Sequence, residues 1–341
     1  MTKRSYWYIA VSIMVSGAVF TYLLTMVRPA EIARAIKNAS IPGIAAYIVS
    51  SLITSLFRNW RYLILVRATD TDVPIGGGEM FLVTLVRNLF SDLLPARIGT
   101  LIYIAILKAR FGFPVEIGTS TYAVAFILDL AVMAPLMSVG IVVVGAEKLG
   151  ISLGTLIAIA SIFFLFTIVF LFYLASILVA AGRISSLLLK PWGKAAVLKE
   201  KLELTAAEVQ VIYRTNAFWK AAVLSFVIRT LKYGCIAFLV FAILNPIEPE
   251  TYTLRAIGYW PVFVGASLAE LSASTPFSGI GGFGAYEGVW TGAFYLLGYP
   301  GKLAALSGIS AHIITQAFGY SLGVIAILVL MVPLLRKRKQ H

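Results

Sequence analysis

The run Phe218-Trp-Lys-Ala-Ala-Val-Leu-Ser-Phe-Val-Ile-Arg-Thr-Leu-Lys-Tyr-Gly-Cys-Ile-Ala-Phe-Leu-Val-Phe-Ala-Ile-Leu244 is apolar over its length, apart from Lys220 near its start and two cations near its middle, Arg229 and Lys232. A helix rises ~1.5 Å per residue, so this run is long enough to cross the ~30 Å hydrocarbon layer of a bilayer. Similar runs occur at 7–27, 118–145, 152–181 and 303–332, with a shorter one at 41–57 that leads into Trp60 and Tyr62. Across all 341 residues, 60% are hydrophobic and 13% charged, with a mean hydropathy of +0.92. Soluble domains are nearer ~45–50% apolar and ~25% charged. In lipid every backbone group must bond internally, which leaves helices or closed barrels, and runs of this length select helices. The fold class that follows is an all-α polytopic membrane protein with about eight transmembrane segments. The run 7–27 is too long for a signal-peptide core and no small-residue cleavage site follows it, so it is expected to remain as a first helix.

Two apolar regions are irregular. Residues 79–109 contain Asp92-Leu-Leu-Pro-Ala-Arg-Ile-Gly99, and 253–298 contain Thr275-Pro-Phe-Ser-Gly-Ile-Gly-Gly-Phe-Gly284. The backbone breaks sit at Pro95 and Gly99, and at Pro276, Gly279, Gly281, Gly282 and Gly284. Each region either spans or re-enters. Broken segments in corresponding places of two halves point to a transport site near the midplane. The single membrane domain, 1–341, therefore divides into a first half, 1–182, a basic linker, 183–217, and a second half, 218–341. The linker is expected to form an amphipathic helix on the cytoplasmic face.

Net charge is +13, from 28 Lys and Arg against 15 Asp and Glu. Because the basic residues gather outside the apolar runs, they indicate cytoplasmic anchoring beside anionic headgroups rather than nucleic acid. Lys3, Arg4, Arg58, Arg61, Arg67, Lys108, Arg110, the linker and the tail Arg336–Lys339 are assigned to the cytoplasmic side, with both termini. The loops near 28–40, 146–150 and 245–252 are assigned outward. The only cysteine, Cys235, excludes an intrachain disulfide, and His312 and His341 are too few and too scattered for a zinc cluster. No metal, cofactor or catalytic constellation is expected.

A charge at the centre of a membrane helix costs ~2.5–3.5 kcal/mol on insertion scales, so each one needs a reason. Arg229 and Lys232, three apart, share a helix face and suit an anionic group or acids on neighbouring helices. Asp129 has no cation on its own run and can pair with Arg229 or Lys232, or relay a proton. Arg87 and Asp92 lie off a common face and can meet only if the helix breaks at Pro95; Arg97 would then sit at the convergence of half-helix ends. Glu270 and Glu287 flank the glycine-rich break, while Gly284, Gly288 and Gly292 have the spacing of close helix packing. His312 and Gln316, four apart, read first as interhelical glue. Gly279–Gly284 matches a dinucleotide fingerprint literally but lacks a βαβ context. Asp70 and Asp72 could hold Mg²⁺ for a polyprenyl-phosphate glycosyltransferase, although Pro74 and Gly76–Gly78 beside them favour a turn.

Three stretches carry a family resemblance. They are Arg58-Asn-Trp-Arg-Tyr-Leu-Ile-Leu65, Asn88-Leu-Phe-Ser-Asp-Leu-Leu-Pro-Ala-Arg-Ile-Gly99, and Pro276-Phe-Ser-Gly-Ile-Gly-Gly-Phe-Gly-Ala-Tyr-Glu287, with Asp129 matching an acid in the helix after the second. In combination and order the chain resembles the flippase-like transmembrane domain of lysylphosphatidylglycerol synthases, as a stand-alone member without the soluble aminoacyl-transfer domain. Where the family has Glu and Arg after the glycine, this chain has Thr100 and Tyr103, and Ala125-Phe126 stand where an arginine often precedes the acid. The resemblance implies translocation of a lipid or lipid-linked anionic intermediate across the cytoplasmic membrane. On that reading Arg97, Arg229 and Lys232 hold the headgroup, and Asp92, Asp129, Glu270 and Glu287 balance charge or carry protons. The partners are membrane lipids, and a homo-oligomer is compatible. The alternatives are the glycosyltransferase and a non-transporting assembly partner.

Overall fold

A computed structural model describes residues 3–69, 71, 73–94, 99–145, 152–188, 195–275, 278 and 280–331. Among these residues the chain is helical without strands. Its elements are α1 (Lys3–Met26), α2 (Pro29–Lys37), α3 (Ile41–Arg67), α4 (Gly77–Leu93), α5 (Thr100–Ile106), α6 (Val115–Val144), α7 (Leu153–Leu188), α8 (Ala195–Arg214), α9 (Ala217–Leu244), α10 (Leu254–Ile257), α11 (Tyr259–Ala273), α12 (Ala285–Leu296) and α13 (Gly301–Met331). The α3, α6, α7, α9 and α13 helices are long and apolar enough to cross a membrane, and the 24 residues of α1 suffice by length. These six helices and the two broken regions are the membrane elements among the described residues. The protein is a multi-pass membrane protein.

Neither broken region crosses the bundle. The α4 helix ends where Leu94 turns extended (φ −94°, ψ 136°), the conformation required of a residue before proline. The chain then returns through α5 and a π-helical turn, Leu107–Phe111, to the end where it began: Val73, Pro74, Ala109 and Arg110 border one cavity. A Cβ at Gly99 would collide with the Phe90 carbonyl, so only glycine lets the returning strand pass so close to α4. The second hairpin, α11–α12, enters from the opposite end, and the Tyr299 hydroxyl donates to the Ile257 carbonyl at 3.4 Å across its feet. Its tip passes through left-handed backbone at Gly281 (φ 67°), Gly282 (φ 76°) and Gly284 (φ 91°), where a side chain would be strained. The two tips meet: Ser91, Asp92 and Leu94 face the same cavity as Ala273, Gly281 and Gly282.

In lipid, helices are held by van der Waals packing and interhelical hydrogen bonds rather than by exclusion of water. The α3 and α9 helices are the most closely matched pair. A Cβ at Gly43 would come within 2.7 Å of the Ala242 Cβ, and Ser40 N–H donates to the Ala242 carbonyl at 2.8 Å. Gly284 and Gly288 press on α1 at Ser16 and Val19, so two of the three glycines in the small-residue spacing do pack, while Gly292 has open space. The α2 helix is clamped over the start of α13 by Lys302 on Glu31 at 2.6 Å. That bond, with the Arg28 N–H, holds the Glu31 carboxyl below its ordinary range. In the linker, α8 docks its buried Ala206, Val209 and Ile212 against α6 and α7 and ties down Glu116 through Lys201 at 2.6 Å. The α7 helix leaves Ile162, Leu165 and Phe172 exposed, as a lipid-facing helix does.

Candidate functional site

The buried charges form one chain across four helices. Arg61 of α3 donates to both oxygens of Asp129 of α6, at 2.5 and 3.3 Å, and to the Ser225 hydroxyl of α9 at 2.7 Å. Arg229 of α9 lies 3.5 Å from Asp129 and 3.5 Å from Glu270 of α11. Lys232 reaches Glu270 at 2.6 Å, and the Tyr233 hydroxyl donates to the same oxygen at 3.0 Å. Among the described residues three cations share these two carboxylates, one positive charge in excess. Arg58, one turn before Arg61, is half-buried and makes no ion pair among the described residues, and Asp92 stands in the wall of the same cavity.

This arrangement corrects the sequence reading of α3. Arg58 and Arg61 were assigned to a cytoplasmic flank because the apolar run stops at 57. The helix continues to Arg67, and Arg61 is 1% exposed. Asp129 therefore takes its bidentate partner from α3, with Arg229 as its second cation. No periodicity argument could find a partner 68 residues away; the signal available was the paired arginines of the Arg58–Leu65 stretch. Asp92 and Arg87 are not brought together. Asp92 is exposed toward the centre, while the Arg87 guanidinium lies 5.5 Å from the rings of both Tyr62 and Tyr122. Tyr103 is fully buried, 4.9 Å from the Tyr62 ring and 3.3 Å from the Thr121 hydroxyl.

Two neighbouring cavities, of about 160 and 170 Å³, adjoin the network where the hairpin tips meet. They share Asp92, Lys232, Ile236 and Thr315. Glu270, Gly281, Gly282, His312 and Gln316 line the first; Arg58, Asn88, Ser51 and Thr54 line the second. Asp129 and Arg229 stand behind this wall and reach it through Glu270. Arg97, Pro95, Pro276 and Gly279 lie outside the described residues, as do Asp70 and Asp72. Among the described residues no cluster could hold a metal ion.

Glu287 is separate from the network and fully buried. It accepts from the Gly284 N–H at 2.7 Å and meets His312 Nδ1 at 2.5 Å. The Gln316 amide donates to the Gly281 carbonyl at 3.0 Å and lies 2.8 Å from His312 Nε2. The amide nitrogen thus faces Nε2, which must accept, so the imidazole proton sits on Nδ1 and points at Glu287. His312 and Gln316 are interhelical glue of a specific kind: they pin the glycine turn of the second hairpin to α13. Replacing His312 with Phe leaves Glu287 one of its two donors. We expect a loss of ~1–3 kcal/mol and faster hydrogen exchange in the peptide covering 281–287, read by mass spectrometry.

A family model of the lysylphosphatidylglycerol synthase transmembrane region matches residues 9–338. The chain belongs to this family. The match covers both hairpins, all four helices of the charge network and α8, so the site described here lies within the family's membrane region. Its description ties the lysylphosphatidylglycerol synthase family to a membrane lipid. No curated protein sequence matches the chain.

Proposed function

We propose that the protein translocates a lipid or lipid-linked intermediate with an anionic headgroup across the cytoplasmic membrane, with its basic end and both termini inside. The observation that carries this reading is a pair of adjoining cavities beside the meeting hairpin tips, with Lys232 and Asp92 in the walls of both and Arg58 in the wall of the second, and one excess positive charge in the ion-pair network behind them. Irregular backbone at membrane depth is tolerated where it lines a water-filled cavity, and inverted broken helices around such a cavity suit alternating access. Ser51 and Thr54, together with Asn88, offer hydrogen bonds to headgroup hydroxyls, while Arg58 and Lys232 meet a phosphate. The two halves would rock about this point, and the membrane lipids themselves would be the partners. Purified protein in vesicles with headgroup-labelled phosphatidylglycerol, phosphatidylcholine or a polyprenyl phosphate in one leaflet tests this. Faster leaflet exchange of an anionic lipid than of phosphatidylcholine is expected. Leaflet distributions that match protein-free vesicles for every anionic lipid would defeat it.

A further inference from the structure

A third cavity, of about 690 Å³, lies away from the central site at the basic end, between the α4–α5 hairpin and α13. That volume is within the ~300–1,000 Å³ typical of small-molecule sites. Its walls are hydrocarbon: Val86, Ile102, Ile106, Ile327 and Leu330. Its polar residues are Glu79 and Arg110. Glu79 is engaged, since it caps α4 by accepting from the Gly76 N–H at 2.8 Å. Arg110 is not: it makes no ion pair or hydrogen bond among the described residues, and its Nη2 is buried without a partner. Among the described residues its guanidinium meets the Phe111 ring, at 6.0 Å, and Lys108 is exposed two residues earlier.

The order of these groups is that of a lipid molecule. Arg110 lies in the π-helical turn that brings the first hairpin back to the basic end, and apolar walls adjoin it. Such turns are rare and interrupt regular helices mostly at functional sites. A half-buried guanidinium with one nitrogen sealed off and no counter-ion among the described residues is costly, and a phosphodiester offers it two acceptor oxygens in matching geometry. The tail Arg336–Lys339 has the wrong charge to serve.

We propose that this cleft seats one anionic glycerophospholipid, with its phosphate on Arg110 beside Lys108 and one acyl chain between α5 and α13. The seat is independent of transport. The test uses the full chain in nanodiscs containing phosphatidylglycerol with a photoreactive group in its acyl chain, followed by peptide mapping. Adducts are expected on peptides covering 101–111 and 322–331, above the level on the exposed face of α7. Arg110→Ala should lower them ~10-fold, the effect of losing a charge-assisted hydrogen bond, and Arg110→Lys should restore part. Ala105→Trp, at an exposed backbone position lining the cleft, should abolish them without altering charge. The same probe on phosphatidylcholine should label several-fold less. Equal labelling by the two headgroups, or labelling that both Arg110→Ala and Ala105→Trp leave unchanged, would show bulk lipid only and overturn the proposal. If Arg110→Ala does not fold, the headgroup comparison and Ala105→Trp still decide.

Discussion

Replacing Asp129 with Ala is expected to cost ~3–5 kcal/mol, the usual effect of removing one member of a buried ion pair. Arg61 is 1% exposed, and both its terminal nitrogens are committed, to Asp129 and Ser225. Without the carboxylate it becomes an uncompensated charge between α3, α6 and α9, and Arg229 loses one of its two acids. Folded membrane domains have only ~5–15 kcal/mol in hand, so a large share of stability is lost. Thermal unfolding in detergent should show a much lower midpoint and an aggregated elution profile. Asp129→Leu combined with Arg61→Met should recover most of the loss, because apolar side chains of similar volume avoid the desolvation that the pair carries. A wild-type midpoint for Asp129→Ala would show that the network does not hold the helices together.

Arg58→Ala should do the reverse. Arg58 lines the cavity, is half-buried and has no ion pair among the described residues, so folding does not depend on neutralising it. The unfolding midpoint should stay within a few degrees of wild type, while headgroup exchange in vesicles should fall ~10–100-fold, the equivalent of one or two charge-assisted hydrogen bonds. Arg58→Lys keeps the charge but loses the fork and should recover only part. A reduced midpoint with unchanged exchange would make Arg58 a packing residue. The pair of variants separates two arginines one helical turn apart: Arg61 ties three helices together, and Arg58 lines the cavity that the proposed function assigns to the headgroup.

Several features were legible from the chain itself. Hydropathy alone located α6, α9 and α13 to within three residues at each end, and the start of α7, because a span in lipid has one requirement, length of apolar sequence, and that is local. The two hairpins were visible as interruptions, since proline and left-handed glycines leave few other options for the backbone. The cost of a charge in hydrocarbon marked Asp129, Arg229, Lys232 and Glu270 as residues needing partners. Which partner each one takes was not local. Arg61 was hidden because α3 extends past its apolar run, and a charge near the end of a span looks the same whether it snorkels to the interface or turns inward to an acid on another helix. Glu287 reads as a site residue, and the structure makes it the cap and anchor of a glycine turn, a role set by a histidine on α13. Sequence by itself determined the solvent, the helices and the breaks, because these depend on residues within one turn or one span. Only the tertiary structure decided that the breaks are hairpin tips meeting from opposite ends, and which of the buried charges neutralise each other and which face the cavity, because those depend on side chains brought together across the bundle.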